Sequence, residues 1–312
     1  MGSSQKPSLK KRFYPVKVKS LGITSLRELG QLMGKIWDLA MVEVSTEAIA
    51  SLAQYYDQPL RCFIFGDFQL SPMVEEFEEI LGCEWAPFID ILALLIFGGV
   101  LFPNVDGLVD LAAIDAFLAY HNHKESLVVA MLADLYDTFG RRCEKSNTRI
   151  VCCTSALYVW LVSHLFRQEM RHACPLESYR SCTEKGGANW DQLLASKEGA
   201  SINWFPRWKE GRTGVLISCG GFPNVPLMGT RGCISYNLVL ATRQLGYPMR
   251  GAPLEDELTP VISRGFNKTN METLQKVRKA WEVVKKKDKE LRGNNNGPIG
   301  GYRGWLKARG IL

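Results

Sequence analysis

Apolar residues recur every three or four positions through most of the first 170 residues, the spacing that places them on one face of an α-helix. The first such segment opens with a capping box of Ser25 and Glu28 and continues to Ala40. Further helices are predicted over residues 47–56, 72–81, 85–97, 108–118, 127–139, 154–169 and 237–245. The short segments between them are typical of an antiparallel helical array.

Two stretches depart from the helical period. Leu60 to Leu70 is rich in β-branched and aromatic residues, and Gly214 to Gly220 encloses a short apolar run, so each predicts a strand. Between residues 174 and 233, glycine, proline, tryptophan and cysteine dominate, which indicates ordered loops. The predicted fold class is therefore mainly α: a helical array with a small, loop-rich Gly/Pro/Trp region and minor β confined to the two strand stretches.

The last periodic segment, Thr269 to Arg292, is strongly basic. Thr269 and Glu272 can form a capping box, and apolar residues then recur at helical spacing with lysines between them. This pattern predicts an amphipathic helix of roughly six turns with a basic outer face. The residues nominated on that face to bind nucleic acid or a protein partner are Lys276, Lys279, Lys285, Lys286, Lys287 and Lys289.

Charge is distributed unevenly along the chain. Residues 1–19 hold six Lys/Arg and no acid, and residues 264–312 hold thirteen Lys/Arg against four Asp/Glu. Because the whole chain has a net charge of +6, the residues between these ends carry −9. We expect a basic N-terminal tail (1–20), a helical body (21–263), and a basic amphipathic helix with a C-terminal tail (264–312). Basic ends favour attachment to nucleic acid or another polyanion; the alternative is that they only keep the protein soluble.

Cysteine usage and hydropathy indicate the compartment. The nine cysteines are irregularly spaced, which favours reduced thiols in the cytosol or nucleus. The first 20 residues lack the apolar core of a secretory signal. The longest apolar run, residues 89–102, is shorter than the ~20 residues that span a bilayer. We expect a nuclear or cytoplasmic protein that does not contact membranes.

No local motif identifies a catalytic centre. The sequence has no Gly-x-Ser-x-Gly elbow, no phosphate-binding loop and no Cys-x-x-Cys pair. His172, Cys174 and Cys182 fall close together but lack the paired spacing of structural zinc ligands. We therefore predict no catalytic residue, no metal site and no cofactor.

Two clusters leave alternatives open. Clustered carboxylates could hold magnesium for phosphoryl transfer, but solvated helix faces explain them more simply. They are Asp106, Asp110, Asp115, Asp134 and Asp137. Aromatic residues near Pro206 alternate with basic ones and could stack nucleic-acid bases, although the core of a loop-rich region is the favoured explanation. They are Trp190, Trp204, Phe205 and Trp208.

Several longer motifs resemble a known family. They read YYDQPLRCF (55–63), FGDFQLSP (65–72), EEFEEILG (75–82), LFPN (101–104) and NWFPRW (203–208). Over about residues 20–310 the chain is similar to a plant domain family, abundant in legumes and related to the plant mobile domain, which also carries the label aminotransferase-like. The sequence departs from the family pattern where Gly82 runs directly into Cys83, because relatives have a variable segment there.

The resemblance implies a transposon-associated nuclear protein that acts in transposon silencing alongside a phosphatase-like partner. It supplies no catalytic residue, and the aminotransferase label would require a pyridoxal-phosphate lysine that no motif singles out. We predict a non-enzymatic helical interaction scaffold that binds protein partners and contacts nucleic acid through its basic ends. The alternative is an enzyme of the mobile element that carries out metal-dependent phosphoryl transfer.

Overall fold

Helices and short strands alternate along the described part of the chain. The computed structural model describes residues 35–81, 97–103, 112–116, 118, 126–145, 147–166, 189–204, 215–238, 241, 244, 252, 254–255, 262–265, 270–287 and 300–308. Of these residues 54% are helical and 17% lie in strands, which form three small sheets. The fold is therefore mixed α/β, and the prediction of a mainly α helical array with minor β is wrong.

The helices account for most of the regular structure. Their bounds are α1 (Lys35–Ala40), α2 (Thr46–Leu52), α3 (Val74–Leu81), α4 (Leu127–Glu144), α5 (Thr154–Leu165), α6 (Trp190–Ala195), α7 (Met271–Glu282) and α8 (Gly300–Ala308). A π-helical turn covers Phe97–Leu101 and a 3-10 turn covers Gly199–Ser201. These confirm the helices predicted near residues 47, 72, 127 and 154. The capping box of Ser25 and Glu28 lies outside the described residues.

The strands form three antiparallel sheets. The first is β1 (Tyr56–Asp57), β2 (Cys62–Ile64) and β3 (Gln69–Leu70), in that order. The second pairs β4 (Val215–Cys219) with β8 (Val284–Lys287), and the third is β5 (Val225–Gly229), β6 (Gly232–Tyr236) and β7 (Ile262–Arg264). β2, β3 and β4 confirm the two predicted strand stretches, but β1 and β5 to β8 lie outside them.

A tight hairpin of β5 and β6 occupies the region predicted to be loops. Val225 pairs with Tyr236 and Gly229 with Gly232, around a two-residue turn. Pro226 and Gly229 resemble turn signals in the sequence, yet both lie in β5. A five-residue strand has too few alternating apolar and polar positions to be recognised when it contains Pro and Gly. The hairpin is stabilised by its burial against α4.

The core is centred on α5, which is buried on all sides from residue 155 to residue 165. α3 packs against both α4 and α5, while α4 also packs against β5 and β6. Aromatic rings join the first sheet to these helices: Phe63 lies 5.3 Å from Phe139 and 5.9 Å from Trp160, measured between ring centroids. Such aromatic pairs add about 0.5–1.5 kcal/mol each beyond the burial of their area.

The structure also shows the state of the described cysteines and the apolarity of the described helices. The six cysteines in the described residues are all free. Burial raises the pKa of Cys153 and Cys233 to about 12, so these thiols stay protonated and unreactive at neutral pH. Within the described residues, no helix combines the length and apolarity needed to cross a membrane.

Gly232 is required where β6 approaches β7. Its φ is +139°, and an added Cβ would collide with the carbonyl oxygen of Ser263. We expect Gly232→Ala to lower the free energy of unfolding by at least ~2 kcal/mol, because the methyl group must push the two strands apart. Urea unfolding measures this loss.

Gly66→Ala is the matched control, because a Cβ at Gly66 would have no neighbour within 4 Å. It should change the free energy of unfolding by less than ~1 kcal/mol. Equal losses for the two variants would contradict the close packing of β6 on β7.

Candidate functional site

Helix α7 docks on the body through one apolar face. Leu274, Val277 and Ala280 are buried, and the indole Nε1 of Trp281 donates to the carbonyl oxygen of Pro226 in β5 at 2.7 Å. An added Cβ at Gly220 would lie 2.8 Å from the Cβ of Ala280, so helix and sheet are in close contact. The opposite face of α7 is consequently fixed toward solvent.

The predicted helix over residues 269–292 ends much earlier than expected. α7 stops at Glu282, and Val284–Lys287 form β8, which pairs with β4. Two β-branched residues, Val283 and Val284, weaken the helix here. The following lysines would repel each other at helical i, i+3 and i, i+4 positions, whereas in a strand they alternate between the two faces. The prediction of a continuous basic helix is therefore wrong.

The nominated lysines are divided between the two elements. Lys276 and Lys279 are exposed on α7, Lys285 and Lys286 are exposed on β8, and Lys287 is the last residue of β8. Lys289 lies outside the described residues.

Arg278, which is also exposed on α7, joins the four exposed lysines. We call Lys276, Arg278, Lys279, Lys285 and Lys286 the basic C-terminal surface. Among the described residues, no carboxylate forms an ion pair with any of its five members.

A second constellation, buried in the core, was not predicted. The carboxylate of Glu76 in α3 is fully buried, with one oxygen 2.7 Å from the indole Nε1 of Trp160 and the other 2.9 Å from Nε2 of His164. The side-chain amide of Gln244 donates to the same carboxylate at 3.3 Å. We call these four residues the Glu76 cluster. Every oxygen of the buried carboxylate thus has a hydrogen-bond donor or a titratable partner.

The geometry fixes one proton of His164. Its Nδ1 lies 2.8 Å from the carbonyl oxygen of Asn203, which can only accept, so Nδ1 must carry a hydrogen. A second proton then lies between Nε2 and Glu76, bound to one or the other. Both arrangements leave the pair with no net charge, which is why it can be fully buried.

Ser71 links the Glu76 cluster to α4 through its backbone and its hydroxyl group. Its N–H donates to the side-chain oxygen of Gln244 at 2.8 Å, and Gln244 returns a hydrogen bond to the Ser71 carbonyl at 3.0 Å. The hydroxyl of Ser71 lies 2.7 Å from that of Tyr136, which donates to the carbonyl of Pro72. Ser71 therefore joins Gln244 to α4.

Two of the five candidate acids face the core rather than solvent. Asp134 accepts the N–H of Thr230 at 3.0 Å and its hydroxyl at 2.6 Å, so it fixes the turn of the β5–β6 hairpin. Asp137 accepts from Nε of Arg141 at 2.6 Å and from Nε of Arg264 at 3.4 Å. The expectation of solvated carboxylates is wrong for these two and confirmed for Asp115, which is exposed. Asp106 and Asp110 lie outside the described residues.

The oxygens of Asp134 and Asp137 already accept bonds from Thr230 and two arginines, which opposes their use as magnesium ligands. Across the described ranges, no three His, Cys, Asp or Glu residues converge in a geometry that could hold a metal ion. His172, Cys174 and Cys182 lie outside those ranges.

The described tryptophans of the aromatic cluster belong to the core. Trp204 packs edge-on against Phe68 at 6.0 Å, and its indole Nε1 donates to the carbonyl oxygen of Gly199. Trp190 packs between Tyr158 and Phe166 at 6.1 and 6.4 Å. Their packing favours the core explanation over base stacking. Phe205 and Trp208 lie outside the described residues.

Comparison with known proteins gives a family but no activity. A family model described as a domain of unknown function (DUF7745) matches residues 19–86 and 82–311, which is most of the chain. No curated protein and no solved structure matches the sequence.

Removing the buried carboxylate should destabilise the protein strongly. We expect Glu76→Ala to lower the free energy of unfolding by about 3 kcal/mol or more, because Trp160, His164 and Gln244 each lose a buried partner. Glu43→Ala, at an exposed position, should change it by less than ~0.5 kcal/mol. Chemical denaturation compares the two, and similar small losses would show that the cluster is not needed for stability.

Asp134 should make stability depend on pH. Burial disfavours its charged form and raises the pKa of Asp134 to about 6, against the attraction of Arg231. The folded protein therefore binds more protons than the unfolded chain between about pH 4 and 6, so its stability should fall as the pH rises through that range, by up to ~3 kcal/mol.

Asp134→Asn should remove this dependence, since its amide can still bond both groups of Thr230. Urea unfolding at several pH values from 4 to 7 tests this, with Asp115→Asn at an exposed position as control. Parallel curves for the parent protein and Asp134→Asn would contradict the assignment.

Proposed function

The chain belongs to the DUF7745 family, and we propose that it is a non-enzymatic interaction scaffold that holds negatively charged partners on the basic C-terminal surface. The proposal includes a relation to the plant mobile domain, association with transposable elements and a nuclear site of action. Their support is the family resemblance that the motifs at residues 55–82 and 203–208 carry. A phosphatase-like protein and nucleic acid are the partners that the resemblance and the charge of the ends suggest.

The observation that carries the proposal is the accessibility of the five basic side chains. They are exposed together on α7 and β8, and the described carboxylates leave all five without an ion pair. The surrounding segment, residues 264–312, has a net charge of +9. Such a charge raises the local concentration of anionic ligands and speeds their association.

The buried contacts of α7 add rigidity to this charge. Leu274, Val277 and Trp281 hold the helix against the body, so Lys276 and Lys279 keep their positions when a partner approaches. Backbone pairing with β4 does the same for Lys285 and Lys286. Basic groups on ordered backbone lose less conformational entropy on binding than groups on a flexible tail.

Two double variants test the proposal, each with two fewer positive charges: Lys276→Gln with Lys279→Gln, and Lys285→Gln with Lys286→Gln. Both should weaken binding to duplex DNA and to poly-glutamate. For DNA, the slope of log affinity against log salt should become shallower by about 0.9 for each phosphate that the variant no longer neutralises. Fluorescence anisotropy at low and moderate salt measures both quantities.

The charge-matched control is Lys145→Gln with Arg149→Gln, at exposed positions on another part of the surface. It should bind both polyanions nearly as well as the parent protein. Equal weakening by all three double variants would show that only net charge matters. Failure of the parent protein to bind either polyanion at low salt would refute the proposed function.

A further inference from the structure

We propose that β8 is a docking edge for an extended acidic segment of a partner protein, which joins the β4–β8 sheet as a third strand. The inference rests on the proposed function, because it names the partner chemistry that the basic C-terminal surface takes. The juxtaposition that carries it is a lysine-rich strand at a sheet edge, with Lys285 and Lys286 exposed on opposite faces of the sheet.

The backbone of β8 is paired on one side. Val215, Leu216, Ser218 and Cys219 of β4 lie opposite its four residues, and β8 has no other partner among the described strands. In an antiparallel ladder, alternate residues direct their N–H and C=O groups toward the partner and away from it. Half of the backbone N–H and C=O groups of β8 therefore point away from β4, at the outer edge of the sheet. An extended chain can pair with them there.

Two exposed lysines of β8 select the kind of partner. Lys285 and Lys286 are consecutive in a strand, so they lie on opposite faces of the sheet, and both are exposed. A phosphate backbone lying across one face would meet only one of them. A strand alongside the edge also alternates its side chains between the two faces, so consecutive acidic residues can meet both lysines.

The same charges exclude other occupants. A second copy of β8 would place lysine opposite lysine, and like charges directly opposite each other destabilise strand pairing. A strand of neutral residues would leave the lysines without partners, which is how edge lysines normally prevent aggregation. The edge thus fits a segment with at least two consecutive Glu or Asp residues. The exposed Val283 and the half-buried Val284 offer contacts to a β-branched residue at one end of such a segment.

The edge is ordered before any partner arrives. Val215, Leu216 and Cys219 of β4 are buried, and the N–H of Leu216 donates to the carboxylate of Glu75 in α3 at 3.1 Å. β4 is therefore fixed to the core, and α7 leads directly into β8 from a docked position. A preformed edge avoids part of the ordering cost of binding, which favours strand addition over capture by a flexible tail.

The test uses the full chain and a labelled nine-residue peptide with three central glutamates and, on each side, three residues chosen from Val and Thr. A second peptide has proline at the two positions beside the glutamates, and a third has glutamine in place of glutamate. We expect the proline peptide to bind about tenfold more weakly, because it keeps the charge but cannot complete the ladder. The glutamine peptide should not bind measurably.

Hydrogen exchange supplies a readout that charge attraction alone would not move. Binding of the glutamate peptide should slow exchange of those amides of Val284–Lys287 that point away from β4. Lys285→Gln with Lys286→Gln should abolish both binding and protection. Lys276→Gln with Lys279→Gln carries the same charge change on α7 and should retain peptide affinity within about twofold, since exposed charges beyond the contact are screened by salt.

The binding results distinguish failure of strand addition from failure of the proposed function. Equal binding of the glutamate and proline peptides would overturn strand addition while leaving the proposed function intact. Protection of the β8 amides by duplex DNA but not by the glutamate peptide would assign the edge to nucleic acid and also overturn the inference. If the parent protein bound neither the glutamate peptide, poly-glutamate nor DNA at low salt, the proposed function itself would fail.

Discussion

The buried carboxylate of Glu76 is the constraint on which the described fold depends. A carboxylate and an imidazole can be removed from water only if each polar atom finds a partner, and an incomplete set would cost several kcal/mol. Its partners come from positions 84 to 168 residues further along the chain. Satisfying this one group therefore brings together α3, α5 and Gln244, and Gln244 in turn holds Ser71.

Adjacent residues of α3 extend this constraint toward the surface. Glu76 faces α5, while its neighbour Glu75 accepts the N–H of Leu216 and so positions β4. β4 is the only described strand that pairs with β8, so the edge is set by contacts that begin in the core. α7 is fixed separately, through the hydrogen bond from Trp281 to Pro226. The basic C-terminal surface is thus built from two elements with independent anchors.

The sequence allowed prediction of the elements that are long and rich in apolar residues. α4 and α5 bury a continuous apolar set, which identifies a helix without tertiary information. β5, β6 and β8 have four or five residues each and depend on neighbours distant in sequence. Their own composition therefore predicts loops or a helix where the structure has strands. Glu76 lies in a run of four glutamates around Phe77, and helical period alone does not show that this one meets His164. The same applies to Asp134, which is buried only because Thr230 reaches it from the hairpin.

The strand conformation of residues 284–287 changes what the lysine run can recognise. A helix would have gathered several of these lysines on one face, the arrangement that suits a row of phosphates. A strand divides them between two faces and adds a directional requirement, because an occupant must also satisfy unpaired backbone groups. Lysines at a sheet edge ordinarily prevent association with neutral strands or with the same chain. The same lysines make the edge selective for an acidic partner, because they disfavour other strands and form ion pairs with an acidic one.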